Sequence, residues 1–486
     1  MRVIFVIPTN QAESFRLEDK LPFSIENLAI GYLSSHLSLH GIEFAIVDGY
    51  AHRMSTDVMV RKVLQGLGNE DVLAVTVLQS TVDEVRNLCR AVRAASFDGP
   101  IVLGGWVATM APVELMQYVR EADYVLRGEP ETTFADFVQR AAARKAVDTS
   151  PGAVWRESGN RVVEGRASAL VDFDWPRVPF HYGYDSQALA PYSLAPVPIQ
   201  GSRGCYWGRC TFCSTAARYG PRGWRCRCAG SLIEEIGQSV RSGHSRFFFV
   251  DDEFFGPTER GFQRARELAE GLLREDITIE FGIDCLLIDF DEQLFSLLRR
   301  AGLRKVFLGV DSGANNTLKV FKKPFNTGKI LSAVSGIRQL GLEPIFGFIM
   351  FEPYMSLEDV WESVMFLAHR LDFCGDPGKY LSKLDPEYGT ELWSRLANDG
   401  LLDGAFPDWT FRFSDSRVAR LYSRLVEPVR DWQRQYRSAP GNEAAEVGQR
   451  VRDAFLEVFQ REYAEIQREP ASVQMGGPKI RSWLVT

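Results

Sequence analysis

The sequence is poor in cysteine, has no excess of positive charge and contains no long hydrophobic run. Eight cysteines in 486 residues are too few for a disulfide-stapled scaffold. No apolar stretch reaches the ~18–20 residues that cross a bilayer, so no membrane association is expected. The apolar start, Met1-Arg2-Val3-Ile4-Phe5-Val6-Ile7-Pro8, is too short for a signal peptide and reads as a first β-strand. Lys and Arg number 56 against 63 Asp and Glu, a formal charge of −7, which argues against a general affinity for nucleic acid. A reducing, cytoplasmic location is the matching expectation. What remains is an ordinary globular balance: 45% hydrophobic and 24% charged residues exclude disorder and fibrous architectures. At ~150 residues per domain the length suits two to four domains.

The hydrophobic pattern predicts an α/β protein. Residues 2–145 alternate apolar strands with helical spacings. Strands are expected over 2–7, 43–47, 71–77, 101–103 and 124–126. This is the pattern of a doubly wound, Rossmann-like domain (1–149), whose ligands sit at the carboxyl ends of the strands. Asp48-Gly49, Thr76, Gly104-Gly105 and Gly128 stand at those ends. Residues 150–197 are rich in proline (Pro151, Pro176, Pro179, Pro191, Pro196) and read as a linker, with a small hairpin over 154–163 turning at Ser158-Gly159-Asn160. A second series over 198–385 has strand candidates at 198–202, 246–250, 277–283, 305–310 and 344–349, and a weak sixth at 379–381. Six β/α units predict a partial barrel, with its chemistry on the loops after the strands. Residues 386–486 are expected to form a mainly helical region that caps the barrel and helps choose the substrate.

Five of the eight cysteines, Cys205, Cys210, Cys213, Cys226 and Cys228, fall within 24 residues, in the loop after the first strand of the second series. The run Cys205-Tyr206-Trp207-Gly208-Arg209-Cys210-Thr211-Phe212-Cys213 spaces three thiols as C-x4-C-x2-C. Close thiolates let one loop wrap one iron–sulfur cluster, and three thiolates on four irons leave one iron open, the mark of a reactive metal site. The competing reading is structural zinc, with Cys226 or Cys228 as a fourth thiolate. Against it, the motif opens a β/α series, whereas zinc ribbons are small autonomous modules. Downstream only Cys285 and Cys374 remain, too few for a second cluster. Tyr206 and Trp207 read as packing residues beside the loop. Lys319, Lys322 and Lys323 read as a solvated charge run.

These residues resemble the radical S-adenosylmethionine (SAM) superfamily, whose motif is C-x3-C-x2-C with an aromatic before the third cysteine, matched by Phe212. The first gap is one residue longer in this chain. The run Phe247-Phe248-Phe249-Val250-Asp251-Asp252-Glu253 resembles the segment whose acidic end lies near the SAM amino group. Phe307-Leu308-Gly309-Val310-Asp311-Ser312-Gly313 resembles the fourth unit, with Asp311 where family members commonly carry Glu near the ribose. Phe346-Gly347-Phe348-Ile349-Met350 resembles the fifth strand, which lines adenine. The resemblance therefore implies a 4Fe-4S cluster on Cys205, Cys210 and Cys213, and SAM contacts from Phe212, Asp251, Asp252, Glu253, Asp311, Ser312 and Phe348.

The first domain carries a second resemblance. Val102-Leu103-Gly104-Gly105-Trp106-Val107-Ala108-Thr109 and Asp123-Tyr124-Val125-Leu126-Arg127-Gly128-Glu129 look like the cobalamin-binding domain fused to many radical SAM enzymes. Gly104 and Gly105 would let backbone approach a bulky ligand, and Thr76 and Thr109 offer hydroxyls; Gly128 and Glu129 belong to the same candidate site. The Asp-x-His-x-x-Gly motif, whose His ligates cobalt, is absent. Together the resemblances imply a cobalamin-dependent C-methyltransferase. It would act on an unactivated carbon of a natural-product or peptide-derived substrate through a 5′-deoxyadenosyl radical, with electrons from a flavodoxin or ferredoxin. The alternatives are a radical deoxygenase, dehydratase or rearrangement enzyme acting on a sugar- or aminoglycoside-type substrate, and a non-enzymatic zinc-binding protein.

Overall fold

The computed structural model describes residues 1–9, 27–157, 160–171, 196–220, 223–441 and 443–468. The proline-rich stretch 172–195, with Pro176, Pro179 and Pro191, lies outside them, as do the turn residues Ser158 and Gly159.

The first sheet is built from β1 (Val3–Ile7), β2 (Phe44–Asp48), β3 (Val72–Thr76), β4 (Ile101–Gly104), β5 (Tyr124–Leu126), β6 (Ala153–Arg156) and β7 (Val162–Glu164), ordered β2-β1-β3-β4-β5-β6-β7. The first five strands run parallel. All five β1 side chains are buried, as expected of a strand covered by helices on both faces. The order reverses between β1 and β3, and such a switch point opens a ligand crevice at the carboxyl ends. The predicted hairpin is not a free linker element: β6 pairs antiparallel with β5, and β7 with β6. Val154 and Ala153 are fully buried, and burying them is what ties the hairpin to the sheet edge.

The second sheet contains β8 (Val197–Ile199), then, after a short antiparallel ribbon of β9 (Ser202–Arg203) and β10 (Arg225–Cys226), β11 (Arg246–Phe249), β12 (Glu280–Cys285), β13 (Leu303–Asp311) and β14 (Glu343–Phe348). The order β14-β13-β12-β11-β8 is all parallel, with amphipathic helices such as Thr258–Arg274 and Glu292–Arg300 packed on it. A sixth strand does not form. Pro377–Leu381 is a 3-10 turn, started by Pro377 and capped by Asp376, whose carboxylate accepts from the Gly378 amide at 2.7 Å. Only an isolated parallel bridge, Phe351 to Lys383, marks the sixth position.

The C-terminal region does more than cap. Helices Ser416–Ser438 and Ala444–Gln467 pack on each other and enter the barrel's own core, with Tyr380 stacked on Phe455 at 4.3 Å. The hairpin of β15 (Leu402–Ala405) and β16 (Asp408–Phe411) reaches the first domain. At its tip the Pro407 carbonyl accepts from Gln79 at 3.1 Å, and Phe406 meets Tyr118 edge-on. Among the described residues no helix is long and apolar enough to cross a membrane.

Candidate functional site

The cysteine loop follows β9 and is pinned from both flanks. Thr211 donates its amide to the Phe321 carbonyl at 3.2 Å and its hydroxyl to Val320 at 3.0 Å, and its own carbonyl accepts from Leu392 at 2.8 Å. Asp252 joins the two ends of the loop, accepting from the Gly204 amide at 2.8 Å and the Thr215 hydroxyl at 3.1 Å. Phe212 packs on Phe321 at 4.6 Å. It thus secures the loop between Cys210 and Cys213, whose backbones are joined at 3.2 Å.

Burial pushes the thiols of Cys205 and Cys210 up to about 12 and that of Cys213 in the same direction. The amides of Gly208 and Trp207 point at the Cys205 sulfur, and those of Ala216 and Thr215 at the Cys213 sulfur. Such N–H donors stabilise a thiolate and tune a bound cluster. Lys323 supplies a compensating cation near Cys210 and Cys213. Its ammonium is 5% exposed and pairs with Asp311 at 2.5 Å. Asp311 sits in the left-handed region at φ 61°, a conformation held by this pair and by its carbonyl, which accepts from Ile349 at 2.9 Å. Lys323 is therefore a buried partner of the site, not part of a solvated charge run. Lys322 does stay at the surface, paired with Glu391 at 2.6 Å.

The other expected SAM contacts are distributed differently. Asp251 and Glu253 are buried beneath the loop and brace it. Asp251 accepts from the Gly201 amide at 2.7 Å and faces Arg264; burial pushes its carboxyl up to about 6. Glu253 accepts from Phe255 at 2.9 Å and Gly256 at 2.5 Å. Burial and the neighbouring Asp289 carboxyl raise it. Asp289 in turn accepts from the Tyr206 hydroxyl at 2.5 Å, so Tyr206 anchors the loop. Ser312 is fully buried and shares its hydroxyl with Ser363 at 3.1 Å and the Ala314 amide at 3.2 Å. Phe348 is buried in the main core. The packing thus makes Asp251, Glu253, Ser312 and Phe348 buried supports of the loop and core, with Oδ2 of Asp251 left without a hydrogen-bond partner among the described residues.

A cavity of about 310 Å³ lies between the two sheets. From the first domain, Phe5, Thr76, Gly104, Gly105, Trp106 and Gly128 line it; from the barrel side come Arg203, Arg218, Tyr219, Val250 and Asp252. Thr76, Gly104, Gly105, Gly128 and Asp252 are thus brought together where the strand ends of both domains face one another. Gly105 caps the next helix at φ 102°, and a Cβ there would stand 2.9 Å from the Thr76 hydroxyl. At Gly104 the space over the backbone is open, with only the Leu126 carbonyl at 4.0 Å, so a ligand can lie against it. Thr109 does not face the cavity. Its hydroxyl donates to the Gly105 carbonyl and accepts from the Gly128 amide, both at 3.0 Å, stapling the two glycine turns. Nor is Glu129 free for a ligand. It pairs with Arg225 at 2.6 Å and Arg203 at 3.4 Å, and accepts from Val171 at 2.9 Å. Burial works to raise its pKa, yet the two guanidiniums hold it below the usual carboxylate value. Arg203 also pairs with Glu131 at 2.7 Å.

Comparison with known proteins decides between the readings of the loop. Residues 199–367 match the radical SAM superfamily, and residues 18–138 match the B12 binding domain. The chain belongs to the radical SAM superfamily, in its B12-binding branch. It is 24% identical over 408 residues to an uncharacterised methyltransferase of Pyrococcus horikoshii, covering 83% of this chain and 84% of that protein. In fold it resembles the cobalamin-dependent SAM radical enzyme OxsB with aqua-cobalamin and SAM bound (TM-score 0.72, 16% identity, 95% of this chain, 72% of that one). It also resembles the radical SAM methyltransferase TsrM of Kitasatospora setae with cobalamin and a 4Fe-4S cluster (TM-score 0.63, 20% identity, 82% and 75%).

The residues fit the cofactors of this branch. Cys205, Cys210 and Cys213 offer three thiols on one loop for a cluster, and the open backbone of Gly104 suits a flat macrocycle such as cobalamin. Among the described residues no histidine lines the cavity. Among the described residues no three His, Cys, Asp or Glu side chains converge on a single ion. Cys226 lies in β10 opposite Ser202. Cys228 caps the helix Ala229–Arg241.

Proposed function

We propose that this radical SAM protein is a cobalamin-dependent methyltransferase acting on an unactivated carbon of a small natural-product or peptide-derived substrate. The observation that carries the reading is the shared cavity: the carboxyl ends of β3, β4 and β5 and the barrel's cysteine-loop side open into one space. When bound, the cluster with SAM supplies a hydrogen-abstracting radical and cobalamin a methyl donor, chemistry that belongs to the cofactors rather than the protein. The chain's own part is placement and exclusion of water. Asp252 fixes both ends of the cysteine loop, Lys323 offsets thiolate charge, and the open face of Gly104 admits a flat ligand. Tyr388, whose hydroxyl donates to Glu114 at 2.5 Å, and the β15–β16 hairpin wall the interface of the two domains.

The test is anaerobic incubation of the reconstituted, reduced protein with SAM. Formation of 5′-deoxyadenosine is expected, with label from the SAM methyl group passing to cobalamin and then to product. Replacing Cys205, Cys210 and Cys213 by Ala abolishes 5′-deoxyadenosine, whereas Cys226→Ala and Cys228→Ala keep the iron. If 5′-deoxyadenosine forms but no methyl label ever leaves SAM, the reaction is a radical deoxygenation, dehydration or rearrangement instead. If the triple variant still forms it, the cluster assignment is wrong.

A further inference from the structure

The additional residue in the first cysteine gap has a structural outcome. Gly208, in the left-handed region at φ 51°, makes the turn between Cys205 and Cys210. Trp207 precedes it, its indole N–H donating to the Lys322 carbonyl at 2.8 Å. The exposed Arg209 guanidinium sits over the Trp207 ring at 5.1 Å. The segment behind the loop is the one that receives both Thr211 hydrogen bonds, at Val320 and Phe321. It brings Lys322 to Trp207, and Lys319, whose carbonyl accepts from the Lys322 amide at 3.0 Å, lies one turn back on the same segment; both lysines are exposed. Lys322 is neutralised by Glu391, while Arg209 and Lys319 have no carboxylate partner among the described residues. The result is a cationic patch at an aromatic ring in a chain of net charge −7, formed by the cysteine loop and the segment packed behind it.

We infer that this patch, Trp207 with Arg209 and Lys319, is the docking surface for an acidic electron-transfer protein that reduces the cluster. The inference rests on the radical SAM reading and adds where the electron enters. Opposite charge speeds encounter and makes it sensitive to salt, and an aromatic ring gives a small interface its apolar anchor. The transfer moves one electron: the donor's flavin hydroquinone is oxidised by one electron and the cluster is reduced by one, with no bond formed or broken. Arg209 is the residue next to Cys210 in the chain.

The probe is a flavodoxin hydroquinone, mixed by stopped flow with the reconstituted protein while bleaching of the cluster absorbance is followed. Photoreduced 5-deazaflavin, a small reductant that needs no docking, serves as the control. Arg209→Glu and Lys319→Glu are each expected to lower the flavodoxin second-order rate about tenfold at low salt and to flatten its salt dependence. Reduction by 5-deazaflavin stays at the wild-type rate in both. Lys319 lies outside the cysteine loop, so its variant keeps the test valid if Arg209→Glu disturbs the loop. Unchanged flavodoxin rates in both variants, or a fall in both that 5-deazaflavin reproduces, would overturn the assignment. A wild-type protein whose cluster is reduced but forms no 5′-deoxyadenosine from SAM fails the functional reading and leaves the docking result readable.

Discussion

The most informative perturbation is at Arg203, two residues before the first cluster cysteine and paired across the domain boundary with Glu131 at 2.7 Å. Both side chains are under a tenth exposed, at 6% and 8%. With r of 2.7 Å and an effective dielectric of ~20, the gross attraction is ~6 kcal/mol. Desolvation offsets much of that, but removing one partner leaves the other charged and dry, which costs ~3–5 kcal/mol. Glu131→Leu leaves Arg203 its longer contact with Glu129 at 3.4 Å and should cost less, whereas Arg203→Met strands Glu131 and should lose about this much. At ~2–4 °C per kcal/mol for a unit of 150–250 residues, that is a drop of ~6–20 °C in the melting transition. The double variant replaces both charges with apolar side chains, and Glu129 keeps Arg225 at 2.6 Å. It should therefore lose less than the two singles together by ~2 kcal/mol or more. Thermal and urea unfolding of the reconstituted protein measure the cycle. Singles that each cost under ~1 kcal/mol and simply add, as exposed ion pairs do, would refute the claim that this contact is desolvated and joins the domains.

Other outcomes follow from single side chains. Glu352 is 1% exposed, and burial pushes its carboxyl up to about 7 from the ordinary 4.5. Between those values the folded state holds the proton and the unfolded chain releases it. The stability present below pH 4.5 is thus lost as pH rises through about 7, at up to ~1.4 kcal/mol per pH unit. Glu352→Gln should therefore gain stability relative to wild type from pH 5 to 8, and parallel melting curves would contradict this. Thr109→Val removes the staple between Gly105 and Gly128, two hydrogen bonds worth ~1 kcal/mol each. It should lower cobalamin retention on gel filtration while iron content stays unchanged. Gly105→Ala, which places a Cβ 2.9 Å from the Thr76 hydroxyl at φ 102°, should lose cobalamin more completely.

Much of the architecture was legible because it rests on local patterns. The apolar runs of β1 and β3, the small residues at their ends and the spacing of Cys205, Cys210 and Cys213 need no knowledge of tertiary contacts. What escaped was set by partners distant in sequence. Lys323 reads as one lysine of a surface run, and only the fold brings its ammonium to Asp311 beneath the cysteine loop. Glu129 reads as a strand-end ligand, and only the ribbon of β9 and β10 brings Arg203 and Arg225 to it. Ser312 lies in the expected motif, but the burial of Ser363 against it takes its hydroxyl away from any ligand. The hairpin of β6 and β7 was visible as a hairpin, whereas its pairing with β5 was not, since an edge position leaves little trace in the periodicity.

The ribbon of β9 and β10 has a consequence for anyone who would recombine this chain. Arg203 and Arg225 stand directly opposite each other, an arrangement that repels on its own and is made tolerable by carboxylates donated from the other half of the molecule. A chimera that grafts a foreign front half onto this barrel must import acids matching Glu129 and Glu131, or the two guanidiniums will push apart the strand leading into Cys205. Inheritance of the two halves is thereby linked: whichever lineage supplies the metal loop must also supply, or be fitted with, the acids that quiet it.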